Sequence, residues 1–240
     1  MTRTLLYLSF LISMAGFGFA QQAPAAPAKH AAHAAASQPA PSADALWAEL
    51  MAGNKRFATG KPRAYGLVEL RRKLASGQSP HVIVLACSDS RVPPELIFDQ
   101  GLGDLFVIRT AGNVADPVAL GSIEYAVDHV HSTVLVVLGH QKCGAVIAAC
   151  SGEKMPSRNL EAIVEKINPA VTQAKTYAKA DGLVEAAVKE NVHQSAKDVL
   201  ANSEILREAV KSGKLKVIEA EYQFDTGKVI RLDAPASAQQ

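Results

Sequence analysis

Two stretches decide how this chain folds: His81-Val-Ile-Val-Leu-Ala86 running into Cys87-Ser-Asp-Ser-Arg91, and Thr133-Val-Leu-Val-Val-Leu138 running into His140-Gln-Lys-Cys143. Each is a β-branched apolar run bounded by breakers, the pattern of a strand buried on both faces, as in a parallel sheet. If the two strands are parallel neighbours, Cys87, His140 and Cys143 meet at their carboxyl ends, the edge where open α/β sheets place their sites. Two thiolates and one imidazole form a soft three-ligand set suited to Zn²⁺. A structural zinc site normally has four protein ligands, so three point to a catalytic site with a position left for water. Asp89 is a possible fourth ligand, but Arg91 lies two residues on and competes for its carboxylate.

Working outward, strand and helix patterns alternate, which argues an α/β fold: a mainly parallel central sheet flanked by helices, with an antiparallel edge strand. Asp44 is read as the N-cap of a first helix with the apolar stripe Leu46, Trp47, Leu50, Met51 and Phe57. That stripe packs either on its own domain or across a partner. Tyr65 to Ser76 reads as a second helix, and Phe106-Val-Ile-Arg109 as a strand. Asp116-Pro117 opens a helix running to about His129. Helices follow from Gly144, over Arg158 to Tyr177, and over Leu183 to Lys211 with a possible second cap at Ser203. Lys214 to Ile218 and Lys228 to Leu232 are the last strands, turned at Asp225-Thr-Gly227. The pair Gly101-x-Gly103 is too little for a nucleotide loop.

The ends of the chain read differently. Arg3, the apolar segment Leu5 to Phe19 and Gly18-Phe-Ala20 have the form of a secretory signal peptide cleaved after Ala20. The alternative, an uncleaved anchor, has an apolar stretch short for a span. Residues 21 to 43, rich in Ala and Pro with His30 and His33, read as a disordered linker. The folded domain is expected over residues 44 to 232, and 233 to 240 as a disordered tail. The expected location is periplasmic or secreted. The chain has 240 residues, 48% of them hydrophobic and 20% charged, a balance that builds one sizeable core. Its formal charge of +2 and the absence of basic runs interleaved with aromatics exclude a nucleic-acid partner. Three cysteines exclude a full disulfide framework. Cys150 is then read as a small buried hydrophobe.

Cys87-Ser-Asp-Ser-Arg-Val-Pro-Pro-Glu95, Arg109-Thr-Ala-Gly-Asn-Val114 and Gly139-His-Gln-Lys-Cys-Gly-Ala145 resemble the β-class carbonic anhydrases, over roughly Leu46 to Leu232. The resemblance implies a dimeric α/β fold, or a dimer of dimers, and one zinc per chain held by Cys87, His140 and Cys143. It implies reversible hydration of carbon dioxide to bicarbonate by attack of zinc-bound hydroxide. Asp89 would orient the water and Arg91 would keep Asp89 ionised. Gln78 matches a substrate-binding glutamine, Phe106 and Tyr125 match aromatic residues lining that pocket, with the tyrosine arriving near the partner subunit's site, and the Gly144 N–H would be a second donor. His129 falls where a proton relay has been proposed. Relatives with a closed, bicarbonate-regulated form have Trp and Gly where this chain has Val84 and Ala86, so an open site is expected. Other readings are a hydrolase of carbon disulfide or carbonyl sulfide, a non-enzymatic zinc-binding protein of the periplasm, and a Cys87–Cys143 redox disulfide. Phe106 read blandly is a core residue, Tyr125 a helix residue, His129 a surface histidine and Asp89–Arg91 a loop ion pair.

Overall fold

The computed structural model describes residues 41–232. The expected leader, the tail and nearly all of the linker lie outside the described residues. Five strands form one sheet: β1 (Val82–Cys87), β2 (Leu105–Thr110), β3 (Val134–His140), β4 (Lys216–Tyr222) and β5 (Val229–Arg231). Their order is β2-β1-β3-β4-β5. The first four run parallel, and β5 pairs antiparallel to β4. Every residue of β1 and β3 is buried, as continuous β-branched runs require when helices cover both faces.

Helices α1 (Ala43–Ala58), α3 (Pro94–Ile97), α5 (Gly144–Ser151) and α6 (Arg158–Ala174) contribute to the core on one face. Leu46, Leu50, Ile97, Val146, Val164 and Ile167 pack there with Val84, Ala86, Val136 and Leu138. On the other face, α4 (Pro117–Asp128), α7 (Leu183–Ala201) and α8 (Glu204–Lys211) bring Ile123, Ala126, Val192, Val199 and Leu206 against Ile83, Leu85, Leu135 and Val137. Each fully buried side chain of this size stabilises the fold by roughly 1.5–3 kcal/mol over its exposed state. Gly139 lets α7 approach β3 closely: a Cβ there would lie 2.5 Å from Val192 Cγ2.

Several expected boundaries are corrected. The cap of α1 is Ser42, whose Oγ accepts from the Ala45 N–H, and Asp44 sits in the first turn, where its charge complements the helix dipole. Leu46 and Leu50 face this chain's own core, with Trp47, Met51 and Phe57 half-buried against it. The second helix shrinks to α2 (Leu67–Lys73) followed by a 3₁₀ turn, because it buries no side chain and Gly66 offers no capping group. Helix α6 ends at Ala174, after which Thr176 and Tyr177 make i→i+3 turn bonds. Strand β4 starts two residues late and runs to Tyr222. Its delay follows from Lys214 and Leu215, whose N–H groups close α8 on Ala209 O. The break at Ser203 is present: its Oγ accepts from the Leu206 N–H and starts α8. Cys150 is half-buried rather than buried. Among the described residues no helix is long and apolar enough to cross a membrane.

Candidate metal centre

Parallel pairing of β1 with β3 sets Ala86 opposite Leu138, so Cys87 and His140 emerge together at the carboxyl edge. After His140 the chain turns through Gln141 and Lys142, the latter at φ +52°, and delivers Cys143 as the N-cap of α5. The two sulfurs are 4.0 Å apart, and the ligand atoms of Cys87, His140 and Cys143 lie within 4.8 Å of one another. That distance excludes a Cys87–Cys143 disulfide here, since bonded sulfurs stand about 2.05 Å apart. All three residues are at most 5% exposed.

The imidazole fits a metal ligand. His140 Nδ1 lies 2.8 Å from the Gln141 carbonyl oxygen. A carbonyl only accepts, so Nδ1 carries the proton and Nε2 carries the lone pair. Nε2 is buried and has no hydrogen-bond partner. An unpartnered buried acceptor beside two thiols is costly unless something fills the space between them. A metal ion does so. Two thiolates on one tetrahedral zinc, at about 2.3 Å each, stand roughly 3.8 Å apart, close to the separation here. The Nδ1–H···O=C bond is also the usual outer contact that orients a ligating histidine.

The thiols are prepared by their neighbours. Cys87 is pushed well below the ordinary thiol range, chiefly because Cys143 donates to it, with the Asp89 and Gly112 N–H groups adding to this against burial. Cys143 moves up because it keeps the shared proton and is buried. The Gly112 N–H points at Cys87 Sγ from 3.3 Å. Only glycine fits there: φ is +69°, and a Cβ would stand 2.7 Å from Ile167 Cδ1. Buried Asn191 fixes the turn by donating to Gly112 O at 2.7 Å.

Asp89 and Arg91 face one another. The Arg91 fork donates through Nε and an Nη to the two Asp89 oxygens at 2.9 and 2.7 Å, and the Arg91 N–H adds a third bond at 2.9 Å. This bidentate fork, with the backbone bond, holds Asp89 well below the usual carboxylate range. Asp89 Oδ2 is 4.0 Å from His140 Nε2. Arg109, which the sequence motif contains without a role, crosses from β2 and donates to Cys87 O at 2.9 Å and Asp89 O at 2.5 Å. It pins the loop that carries both residues. Its role could not be read locally, because its partners lie at the end of β1 and in the loop after it. Gly144 is the first residue of α5 and presents one of that helix's unbonded N–H groups, with open space beside it.

The remaining site residues stand apart from this cluster. Gln78 is exposed at the opposite end of β1, and the strand between it and Cys87 spans about 20 Å at 3.3 Å per residue. Phe106 is half-buried in β2 opposite Ile83, four ladder positions from Thr110, the partner of Cys87. Its ring is 6.3 Å from exposed Tyr125, which meets His129 edge-on at 5.1 Å. His129 is exposed and 3.4 Å from Asp128 Oδ2. One chain thus brings together Cys87, His140, Cys143, Asp89 and Arg91, with Gly144 next to Cys143, while Gln78, Phe106, Tyr125 and His129 lie outside that cluster.

The family model described as carbonic anhydrase matches residues 82–229. "Carbonic anhydrase 2" of Mycobacterium tuberculosis is 40% identical over 195 residues, covering 79% of this chain and 92% of the relative. A carbonic anhydrase of Mycolicibacterium smegmatis is 36% identical over 77% of this chain and 91% of its own length. Among solved structures, the β-carbonic anhydrase CcaA superposes with a TM-score of 0.64 at 26% identity, over 81% of this chain and 90% of that one. A structure from Sordaria macrospora, described as one of two tetrameric β-carbonic anhydrases, gives 0.63 at 26% identity, over 78% and 97%. A matching sequence model over most of the domain, close relatives along nearly their whole length and a shared sheet place this chain among the β-class carbonic anhydrases.

Proposed function

We propose that this enzyme interconverts carbon dioxide and bicarbonate at a zinc ion held by Cys87, His140 and Cys143. The observation that carries this reading is the buried, unpartnered His140 Nε2 between two thiols, with an ionised carboxylate 4.0 Å away. A zinc ion bound there lowers the pKa of its water to about 7 and so makes hydroxide available at neutral pH. Asp89 Oδ2 accepts a hydrogen bond from the attacking water and orients its lone pair. Arg91 holds Asp89 ionised and on its own fork, which keeps the carboxylate from occupying the metal. The Gly144 N–H binds an oxygen of the product. Gln78, Phe106 and Tyr125 lie outside their own chain's cluster, which supports the reading that they complete the pocket of a second copy. His129, next to Tyr125, passes the released proton toward solvent. A dimer, or a dimer of dimers, is the assembly this requires, and the tetrameric Sordaria relatives support it.

We also propose that the chain is exported. The Arg3 start, the apolar run and Ala20 support a mature chain beginning at Gln21. N-terminal sequencing of the fractionated protein tests this, and intact Met1 in the cytoplasm would refute it.

The enzymatic reading is tested by stopped-flow hydration of carbon dioxide, with zinc quantified on the same sample. Carbon disulfide and carbonyl sulfide are supplied as alternative substrates. About one zinc per chain with rapid hydration is expected. A zinc-loaded protein that turns over only the sulfur compounds, or nothing, would overturn it.

A further inference from the structure

Phe224 lies in the turn between β4 and β5, where the sequence pattern marks only a chain reversal. Its half-buried ring makes three aromatic or cationic contacts. The Arg91 guanidinium carbon stands 4.3 Å from the ring centroid, over its face. The His140 ring meets it edge-on at 5.6 Å, and the buried Tyr222 ring does so at 5.4 Å. One side chain therefore touches both a ligand of the metal position and the arginine that holds Asp89.

This platform is fastened on two sides. The Phe224 N–H donates to Gln141 Oε1 at 3.0 Å, and the Gln141 N–H donates to Tyr222 O at 3.1 Å. The turn is thereby laced to the loop between His140 and Cys143. On the far side, buried Asn54 of α1 donates to Gly227 O and accepts from the Val229 N–H, both at 2.9 Å. Gly227, at φ +68°, allows the close approach: a Cβ there would stand 3.3 Å from Ala58 Cα.

Arg91 needs such a platform. Its side chain is 53% exposed, and an ion pair of that exposure contributes little when both side chains must be ordered to make it. A guanidinium stacked on an aromatic face has its plane set, and with it the direction of its donor fork. Asp89 is poised 4.0 Å from His140 Nε2, so a small rotation separates a carboxylate on Arg91 from one on the metal.

We propose that Phe224 is a positioning residue: its ring face holds the Arg91 guanidinium and thereby keeps Asp89 directed at the metal position without occupying it. The inference rests on the reading of Asp89 and Arg91 given above. Phe224 acts through Arg91 and touches no substrate.

The test uses the metal-loaded full chain. Phe224→Met keeps an apolar side chain of similar bulk and removes the aromatic face, whereas Phe224→Tyr and Phe224→Trp keep it. Phe224→Met is expected to lower kcat/KM roughly three- to thirtyfold, the range of one cation–π contact, while Tyr and Trp retain most of the rate. In an Arg91→Ala background Phe224→Met should change nothing further, which a general packing role would not predict. A second readout is the visible spectrum of the cobalt-substituted proteins, which reports the ligand set independently of turnover. The Phe224→Met spectrum should shift toward that of Arg91→Ala, and the Tyr spectrum should not. Equal losses in both backgrounds, a fully active Met variant, Tyr and Trp variants as impaired as Met, or failure of all three to fold would each overturn the proposal. An impaired Arg91→Ala beside an unimpaired Phe224→Met overturns this proposal alone. A fully active Arg91→Ala overturns the reading of the pair beneath it.

Discussion

At the carboxyl edge of the sheet, Cys87, His140 and Cys143 are buried, their ligand atoms share one small volume, and neighbouring groups hold each in place. Gln78 before β1, Tyr125 in α4 and His129 at its cap are exposed, with the Phe106, Tyr125 and His129 rings in contact. The first region is complete within one chain. The second is a surface, and on the proposed reading its residues would meet the metal of another copy. Burial and hydrogen bonding thus separate the part that would hold the metal from the part that would receive carbon dioxide.

The most severe way to probe this contrast is Cys143→Ala. Removing a ligand from the closed region should strip the metal and abolish hydration, with a loss beyond about a thousandfold for a reaction that depends on the metal's activation of water. Metal analysis and stopped-flow rates on one preparation check both, and full zinc occupancy in this variant would remove Cys143 from the ligand set. Next is Asn54→Ala, which leaves the Val229 N–H and the Ile97 and Gly227 carbonyls without their side-chain partner. Destabilisation of about 1–3 kcal/mol is expected in urea unfolding, as for a buried hydrogen-bonded amide. Exposed Gln78→Ala should leave unfolding unchanged, and equal destabilisation by both would erase the contrast.

Gln78→Ala should instead cost about tenfold in kcat/KM, the worth of one substrate hydrogen bond. Its sharper use is in mixed assemblies. A dimer of one Gln78→Ala chain and one Cys143→Ala chain has one intact site if the glutamine serves its partner, and none if it serves its own chain. Recovery of about half the wild-type rate is expected. Activity no higher than that of Gln78→Ala alone would place the substrate wall in cis. The smallest effect should come from His129→Ala, about twofold at low buffer concentration and reversed by added imidazole, because an exposed relay is easily replaced by buffer. A tenfold loss insensitive to buffer would mean that His129 does more than relay protons.

The two regions were also unequally legible in the sequence. Cys87 and the His140–Cys143 pair could be read because strand-end placement follows from local pattern and the ligand types are distinctive. The Ser203 break in the last long helix and the Asp116–Pro117 start were legible for the same local reason. Strand β4 was partly misread because Glu219 and Glu221 resemble surface residues. Yet Glu221 is buried, and burial raises its pKa, while Glu219 pairs with His193 beneath α7. Asn54 and Phe224 carry no local signal, and Arg109 carries a motif position but no role, because each acts on residues distant in the chain. Tyr65 has the pattern of a helix residue, but its hydroxyl is committed to Asp99 O at 2.5 Å, and α2 begins only after it.

The order of the strands carries one more consequence. The stretch between Cys87 and His140 contains β2 and α4, so an ion bound by both residues closes that stretch into a covalently bounded loop. Such a staple removes conformations from the unfolded chain in the way a cross-link does. Loading would therefore protect β2 and α4 against proteolysis together. Those elements carry Phe106 and Tyr125, with His129 capping α4, so an ion proposed to activate water would also fasten the wall proposed to serve a neighbouring subunit.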